Sequence, residues 1–166
     1  MSPEQLRRLS MPSEDFPAFP RVSIDVPAGW EPLQWAGSVL GARHLVATNG
    51  FNPNVLVTIE RWPGTISHDD ALTVLRQRIT QGGGKERLAE TETETEAEGQ
   101  PSHYVESTQR DPRLGGLEVR SKMIVLHRGP VTEIVTAVGT STAAQSAHIG
   151  KDIAVIVRGL QVEVVS

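Results

Sequence analysis

The sequence predicts an α+β domain with a single antiparallel β-sheet and two helices, in the order β-β-β-α-β-β-β-β-α-β. Three observations predict this fold class. Most apolar residues alternate with polar ones, the period of a strand with one buried face. Two segments change to the helical period, and the strands of the second half are joined by short turns, as in an antiparallel meander.

The length and composition of the chain are typical of one domain with its own hydrophobic core. The chain has 166 residues, of which 38 % are hydrophobic and 22 % charged. Four of the eleven prolines fall in the first twenty residues, where little apolar periodicity is present. We therefore predict a flexible N-terminal tail over residues 1–18 and a single domain over 19–166.

Three strands are predicted before the first helix. Val22, Ile24 and Val26 alternate with polar residues and end at a Pro-Ala-Gly turn. A second strand is predicted over His44–Thr48, before the turn-rich NGFNPN. The third, NVLVTIERW, directs Val55 and its alternate neighbours to one face and closes at Pro-Gly.

The first helix is predicted by a change of period. Ala71, Leu72, Leu75 and Ile79 recur at helical spacing, with Ser67 as the N-cap. The triple glycine at 82–84 ends the helix, since a phosphate-binding loop would precede one and carry Gly-Lys-Ser/Thr.

Four strands and a second helix follow. The strands are predicted over 86–97, 102–109, 117–127 and 131–139. The helix has Ser141 or Thr142 as its cap and Gly159 as its end, and LQVEVV closes the chain as a short strand.

The run ETETETEAE (90–98) places a glutamate at every second position. An acidic linker, a ligand site and a strand with one solvated face are all compatible with it, and the strand is the favoured interpretation because threonine is a good strand former. Arg110 or Arg120 on a neighbouring strand would offset part of the repulsion. Candidate binding residues in this run are Glu92, Glu94 and Glu96.

Composition excludes several classes of site. A formal charge of −4 without a basic cluster argues against nucleic acid as the partner. The absence of cysteine excludes disulfides and thiolate ligands. No Sec-type apolar run and no membrane span are apparent, so we expect a cytoplasmic location.

No catalytic or metal-binding motif is present. The five histidines form neither HxH nor HExxH, and there is no GxSxG elbow, so we predict no catalytic residues, no metal and no cofactor. Three of seven aromatics are tryptophan, a bias toward large, rigid contact residues. Trp35, Arg61 and Trp62 are therefore candidate binding residues, although packing would also explain them.

Five landmarks resemble the LpqN/LpqT family of actinobacterial proteins, which has a Mog1/PsbP-like fold. In order they are VPAGW (26–30), FNPNVLVTIERW (51–62), HDDAL (68–72), GQPSHYVES (99–107) and AHIGKDIAVIVRGLQV (147–162). The resemblance implies an α/β/α sandwich around an antiparallel sheet, and it implies no catalytic motif. Many members of the family look like lipoproteins, and relatives of the wider fold act as binding or assembly factors.

The sequence leaves three functions open. The first is a non-catalytic binding or accessory module that engages a protein partner through a sheet face or rim. The alternatives are a carrier of a small apolar or lipid-like ligand between sheet and helix, and an unrecognised hydrolase. The partner and the oligomeric state are not predicted.

Overall fold

The structure, a computed structural model, describes residues 5–92 and 101–165. Within these ranges the chain forms nine strands and two helices. The strands are β1 (Arg21–Ser23), β2 (Trp30–Pro32), β3 (Leu40–His44), β4 (Asn54–Pro63), β5 (Lys85–Glu92), β6 (Ser102–Asp111), β7 (Gly115–Arg128), β8 (Val131–Thr142) and β9 (Gln161–Glu163). The helices are α1 (His68–Gln81) and α2 (Ala143–Arg158).

Seven strands form one antiparallel sheet in the order β2-β3-β4-β8-β7-β6-β5. β1 and β9 pair with each other in a separate two-stranded ribbon, with Val22 opposite Val162. The predicted fold class is confirmed, and the structure adds this ribbon and the short strand β2 to it. The first and last strands of the chain therefore pair with each other and are separate from the seven-stranded sheet.

The second predicted strand, His44–Thr48, is displaced toward the N-terminus. β3 spans Leu40–His44 because these residues pair with the start of β4, Leu40 lying opposite Val57. A tight turn follows, in which Asn49 and Gly50 have positive φ angles of 53° and 75°. Such a turn accommodates asparagine and glycine best. The chain leaves the sheet after His44, so only the first residue of the predicted strand belongs to β3.

The larger core lies between the sheet and α2. Ile153, Ile156 and Val157 of the helix pack on Val55, Val57 and Val135 of the central strands. Gly139 of β8 faces the helix, and a Cβ built on it would lie 2.3 Å from Ile153 Cγ2. The absent side chain lets α2 approach the sheet closely.

A smaller core lies on the opposite face under α1. Met123 and Val125 of β7 contact Ala71, and Leu72 and Leu75 pack against them. Neighbouring residues Ile124 and Leu126 belong to the α2 side, so β7 is buried on both faces. The two helices therefore cover opposite faces of the sheet and form an α/β/α sandwich.

Both helix boundaries match the sequence prediction. The Ser67 hydroxyl accepts a hydrogen bond from Asp70 N, and α1 ends at Gly82. At α2, Thr142 and Gln145 form a reciprocal capping box, and Gly159 ends the helix. Among the described residues, neither helix has the length and apolar character that a membrane crossing requires.

The N-terminal segment contacts the sheet through its backbone. Arg61 donates to Pro17 O at 2.7 Å, and Arg128 donates to Ala18 O at 3.0 Å. The division into a tail over 1–18 and a domain over 19–166 stays a prediction. β5 confirms strand structure as far as Glu92, and residues 93–98 of the ETETETEAE run lie outside the described residues.

Candidate functional site

A concave groove lies between the β3–β4 connection and the first two turns of α2. Its volume is about 350 Å³. We call it the α2 groove, and its lining residues are His44, Val46, Thr48, Pro53, Ala144, Gln145, His148 and Ile149. It combines the concavity and the largely apolar wall that are typical of binding sites.

Local hydrogen bonds hold the two walls of the α2 groove together. Gln145, the capping residue of α2, donates from Nε2 to Phe51 O at 2.8 Å. Asn52 donates from Nδ2 to His44 O at 2.8 Å, a hydrogen bond that links the two ends of the β3–β4 connection. The His44 ring packs edge-on against Trp30, with centroids 5.4 Å apart. The groove is therefore preformed by backbone and capping contacts.

The chemistry of the α2 groove suits an apolar group flanked by hydrogen-bond acceptors. Its polar side chains are two imidazoles, a hydroxyl and an amide, and no carboxylate lines it. Leu45 and Val46 beside it are 56 % and 64 % exposed, although both are large aliphatic residues. Two walls nearly one hundred residues apart form it, which is why sequence analysis missed it.

Arg61 and Trp62 lie on opposite faces of β4 because they are consecutive strand residues. Arg61 makes an ion pair with the fully buried Glu133, Nη2 to Oε2 at 2.9 Å, and stacks on Phe19 at 4.2 Å. Trp62 is 40 % exposed at the end of the strand. The structure does not bring the two side chains together, and it gives Arg61 a packing role in addition.

Trp35 and the glutamate run complete the sequence-predicted residues. Trp35 is 64 % exposed in the β2–β3 loop, where its carbonyl accepts a hydrogen bond from the Ser38 hydroxyl at 2.7 Å. Glu92 ends β5 and pairs in register with Ser102. Glu94 and Glu96 lie outside the described residues. The binding role of all six candidates stays a prediction.

Glu90, the first glutamate of the run, does not simply face water. Its Oε2 accepts a hydrogen bond from Arg158 Nη1 of α2 at 2.9 Å, and the Arg158 guanidinium also stacks on Tyr104 at 3.7 Å. Arg120, which was expected to face the run, instead pairs with Glu106 and Glu118. Glu90 of β5, Glu106 of β6 and Glu118 of β7 are thus each paired with an arginine.

A histidine pair lies on the α1 side of the sheet. His68 of α1 stacks on His103 of β6, and His103 Nδ1 lies 2.8 Å from the Thr91 hydroxyl. Burial and the neighbouring His68 lower the pKa of His103 to about 4. Within residues 5–92 and 101–165, no group of three histidine or carboxylate side chains is placed to hold a metal ion.

The comparisons with known proteins place these features in a family. The family model described as "Probable lipoprotein LpqN" matches residues 9–163. The structure is similar to the crystal structure of LpqN from Mycobacterium tuberculosis, described as involved in cell envelope biogenesis. The TM-score is 0.73 at 13 % identity, over 89 % of this chain and 86 % of that one. No curated protein matches by sequence.

The expectation of a cytoplasmic location is wrong. The matching family is described as a lipoprotein family, and its structural neighbour is described by a role in the cell envelope. These findings point to the envelope or to export. The expectation depended on missing signals alone, and missing signals are weak grounds for assigning a compartment.

Two further structures share the fold. One is the solution structure of cyanobacterial PsbP from Synechocystis, with a TM-score of 0.58 at 14 % identity over 95 % of this chain and 98 % of that one. The other is the Ran-binding protein Mog1p of Saccharomyces cerevisiae, with a TM-score of 0.52 at 9 % identity over 85 % and 89 %. None of the three descriptions names a catalytic activity. The match over residues 9–163 and the shared architecture show that the chain belongs to the LpqN family, with a Mog1/PsbP-like fold.

Proposed function

We propose that this chain is a non-catalytic binding or accessory module that engages a protein partner through its rim, at the α2 groove. The observation that carries the proposal is the preformed apolar groove with Leu45 and Val46 exposed beside it. Exposed aliphatic residues next to a concave apolar wall are typical of protein contact sites. The rim is favoured over a sheet face because helices cover both faces of the sheet.

The lining of the α2 groove indicates the chemistry of the partner. The two imidazoles can donate hydrogen bonds to a partner, whereas the Gln145 amide is already bonded to Phe51 O and Thr142 N. No carboxylate in the lining opposes an acidic group. An apolar side chain with a carboxylate or carbonyl beside it would contact the apolar residues of the groove and also accept a hydrogen bond from an imidazole. We therefore propose a partner segment that presents an apolar residue next to an acidic one.

The comparisons support a binding role. Mog1p is described as a Ran-binding protein, and LpqN is described as involved in cell envelope biogenesis. A binding module of the same family and fold would act on a partner exposed to the same compartment. We propose that the partner of this chain is itself an envelope or exported protein.

A second candidate function uses the same groove. Its volume of about 350 Å³ falls at the lower end of the range of small-molecule sites, roughly 300–1,000 Å³. A short apolar ligand held between the β3–β4 connection and α2 would fill it. Native mass spectrometry of protein purified from its host distinguishes this candidate, because a carried ligand adds mass to the intact chain.

Site-specific photo-crosslinking in the native host tests the protein-binding proposal. A crosslinking residue at position 46 should capture one partner reproducibly. The same residue at position 155 is the control, since Val155 is an exposed valine on the outward side of α2. With the identified partner purified, Val46→Asp should weaken binding by about tenfold or more while Val155→Asp leaves it unchanged.

Two results would overturn the proposal. One is equal crosslinking from positions 46 and 155. The other is turnover of a substrate that is lost in a His44→Ala or His148→Ala variant with an intact fold, because that result would make the groove an active site.

A further inference from the structure

A second concavity lies on the other side of the α2 N-terminus. It has a volume of about 520 Å³, and it is bounded by the glycines after α1, the ends of β5, β6 and β7, and the first residue of α2. We call it the Lys85–Arg110 pocket, and its lining residues are Gly83, Lys85, Thr108, Gln109, Arg110, Gly116, Leu117, Glu118 and Ala143. Ala143 lines this pocket and Ala144 lines the α2 groove, so the two sites are distinct neighbours.

Strand register brings two basic side chains into the pocket from different strands. Lys85 of β5 pairs with Thr108 of β6, and Arg110 pairs with Gly116 of β7. Thr108 and Arg110 are two residues apart on one strand, so their side chains share a face. Gly116, the strand partner of Arg110, has no side chain, which leaves space at this point of the sheet.

Neither basic residue has a carboxylate partner among residues 5–92 and 101–165. Most arginines in this part of the chain do have one. Those with a carboxylate partner include Arg43, Arg61, Arg76, Arg78, Arg87, Arg120, Arg128 and Arg158. In a chain with a net charge of −4, two unpaired cations at one concavity indicate a preference for an anion.

The pocket's single carboxylate is already engaged. Glu118 accepts hydrogen bonds from Arg87 Nη1 at 3.1 Å and Arg120 Nη2 at 3.2 Å, and from the Ser146 hydroxyl. Burial alone would raise the pKa of Glu118, but the Ser146 hydrogen bond and the two arginines together outweigh it and lower that pKa. Its charge is therefore balanced within the protein and does not neutralise Lys85 or Arg110.

The remaining wall is also favourable to an anion. α2 begins at Ala143 and has no acidic residue of its own in the first turn, so the positive end of its dipole lies at this wall of the pocket. The Thr108 hydroxyl lies on the same face as Arg110 and can donate a hydrogen bond. Two cations and a hydroxyl from β5 and β6 thus lie beside the start of α2.

We propose that the Lys85–Arg110 pocket binds a phosphate group, either free in solution or carried on a lipid headgroup. Arg110 presents a planar fork that matches two phosphate oxygens, and Lys85 adds a point charge from the neighbouring strand. This site goes beyond the proposed protein-binding role of the α2 groove and does not depend on it.

Titration of the full chain with inorganic phosphate, followed by amide NMR, tests the site. The wild-type protein should show saturable shifts at Lys85, Arg110, Gly116 and Ala143. The double variant Lys85→Gln/Arg110→Gln should weaken binding by about tenfold or more, since it removes both cations. Both residues are exposed, so the variant should keep its fold, which its unchanged amide spectrum elsewhere would verify.

A control variant of equal charge separates a site from general attraction. Arg21→Gln/Lys151→Gln removes two other exposed cations that have no ion pair within the described chain, and phosphate affinity should change less than about twofold. An equal loss in both double variants would overturn the proposal, as would wild-type shifts that do not saturate.

Vesicle binding distinguishes the two sources of the phosphate group. Sedimentation with phosphatidylglycerol vesicles, but not with phosphatidylcholine vesicles, assigns a lipid headgroup, provided that Lys85→Gln/Arg110→Gln abolishes it. Saturable binding of inorganic phosphate without sedimentation assigns a soluble phosphate. Failure of both assays in the wild-type chain contradicts the site itself.

Discussion

His68, the first residue of α1, stacks on His103 of β6 with ring centroids 4.1 Å apart and planes inclined by 36°. Neither ring nitrogen of His68 has a hydrogen-bond partner in the described structure, and His103 Nε2 has none either. Burial is the main cause that lowers the pKa of both residues. The pair therefore favours neutral rings, because protonation would place a charge in this poorly solvated contact.

Acid should therefore loosen the contact between α1 and the sheet. The folded-state pKa of His103 is about 4, lowered by burial, His68 and Arg76 against the opposing effect of Asp69. Between that value and the ordinary 6.5, the unfolded chain binds more protons. The stabilisation is complete above pH 6.5 and is lost as the pH falls toward 4, and it amounts to roughly 3 kcal/mol at most.

Urea denaturation at pH 7 and pH 4.5 measures this effect. The wild-type chain should lose roughly 2 kcal/mol more than His103→Gln over that interval. His148→Gln replaces an exposed histidine of α2 and should follow the wild-type profile. Parallel profiles for the wild-type chain and His103→Gln would contradict the assignment.

Glu133 should be among the most sensitive charged residues. It is fully buried, and it accepts hydrogen bonds from Arg61 at 2.9 Å and Arg128 at 2.7 Å. Glu133→Ala leaves two guanidinium groups without their partner, so we expect a loss of about 3–5 kcal/mol in the free energy of unfolding. Glu60→Ala breaks an exposed pair with Arg78 and should cost about 0–1 kcal/mol. Similar losses for the two variants in urea denaturation would refute this ranking.

A second substitution at this position, Glu133→Gln, should release the N-terminal segment. Arg61 and Arg128 hold the carbonyls of Pro17 and Ala18 while they also bind Glu133. We expect trypsin to cleave Glu133→Gln faster than the wild-type chain at Arg21, since the arginines lose the carboxylate that orients them. Unchanged cleavage at Arg21, with cleavage at the exposed Arg7 as the internal reference, would show that the segment is held by other contacts.

Gly139→Ala should disrupt the packing of α2 on the sheet. The added Cβ would lie 2.3 Å from Ile153 Cγ2 and 3.0 Å from Val157 Cγ2, both on buried side chains of α2. Overpacking of this kind costs about 1–3 kcal/mol in the free energy of unfolding. Gly116→Ala is the control, because its nearest atom would be Ala143 Cβ at an ordinary 3.7 Å. A thermal shift no larger for Gly139→Ala than for Gly116→Ala would contradict the close approach.

Thr142→Ala should cost more than the corresponding change at the other helix. Thr142 forms a reciprocal capping box with Gln145, whose amide also reaches Phe51. Loss of an N-cap costs about 0.5–2 kcal/mol, and we expect a value near the upper end here because both capping groups are buried. Ser67→Ala removes an exposed cap from α1 and should lie near the lower end. Equal losses in urea denaturation would show that the second half of the box contributes little.

Local features of this fold were predictable from the sequence. Ser67 and Gly82 bound α1 as expected, and Gly159 ends α2, because caps act through residues within one turn of each other. The strands after α1 match the prediction in number and order. Their signal is also local, because side-chain alternation is a property of consecutive residues. The second strand was misplaced because its position depends on pairing with β4, which is more distant in the chain.

The candidate site was not predictable in the same way. Arg61 and Trp62 are adjacent in sequence, yet a strand directs them to opposite faces, and Arg61 contacts a carboxylate 72 residues away. The α2 groove and the Lys85–Arg110 pocket each join residues from distant segments, which only the sheet register brings together.

The sequence by itself therefore determined the element types, their order, the cap of α1 and the resemblance to the family, because these depend on short-range periodicity and local hydrogen bonds. It left the cap of α2 open between Ser141 and Thr142. Only the tertiary structure decided that Glu90 pairs with Arg158, that His68 stacks on His103, and that Lys85 and Arg110 share a pocket. These contacts depend on strand register and on how the helices cross the sheet. Both are set by packing over the whole chain, which no local pattern encodes.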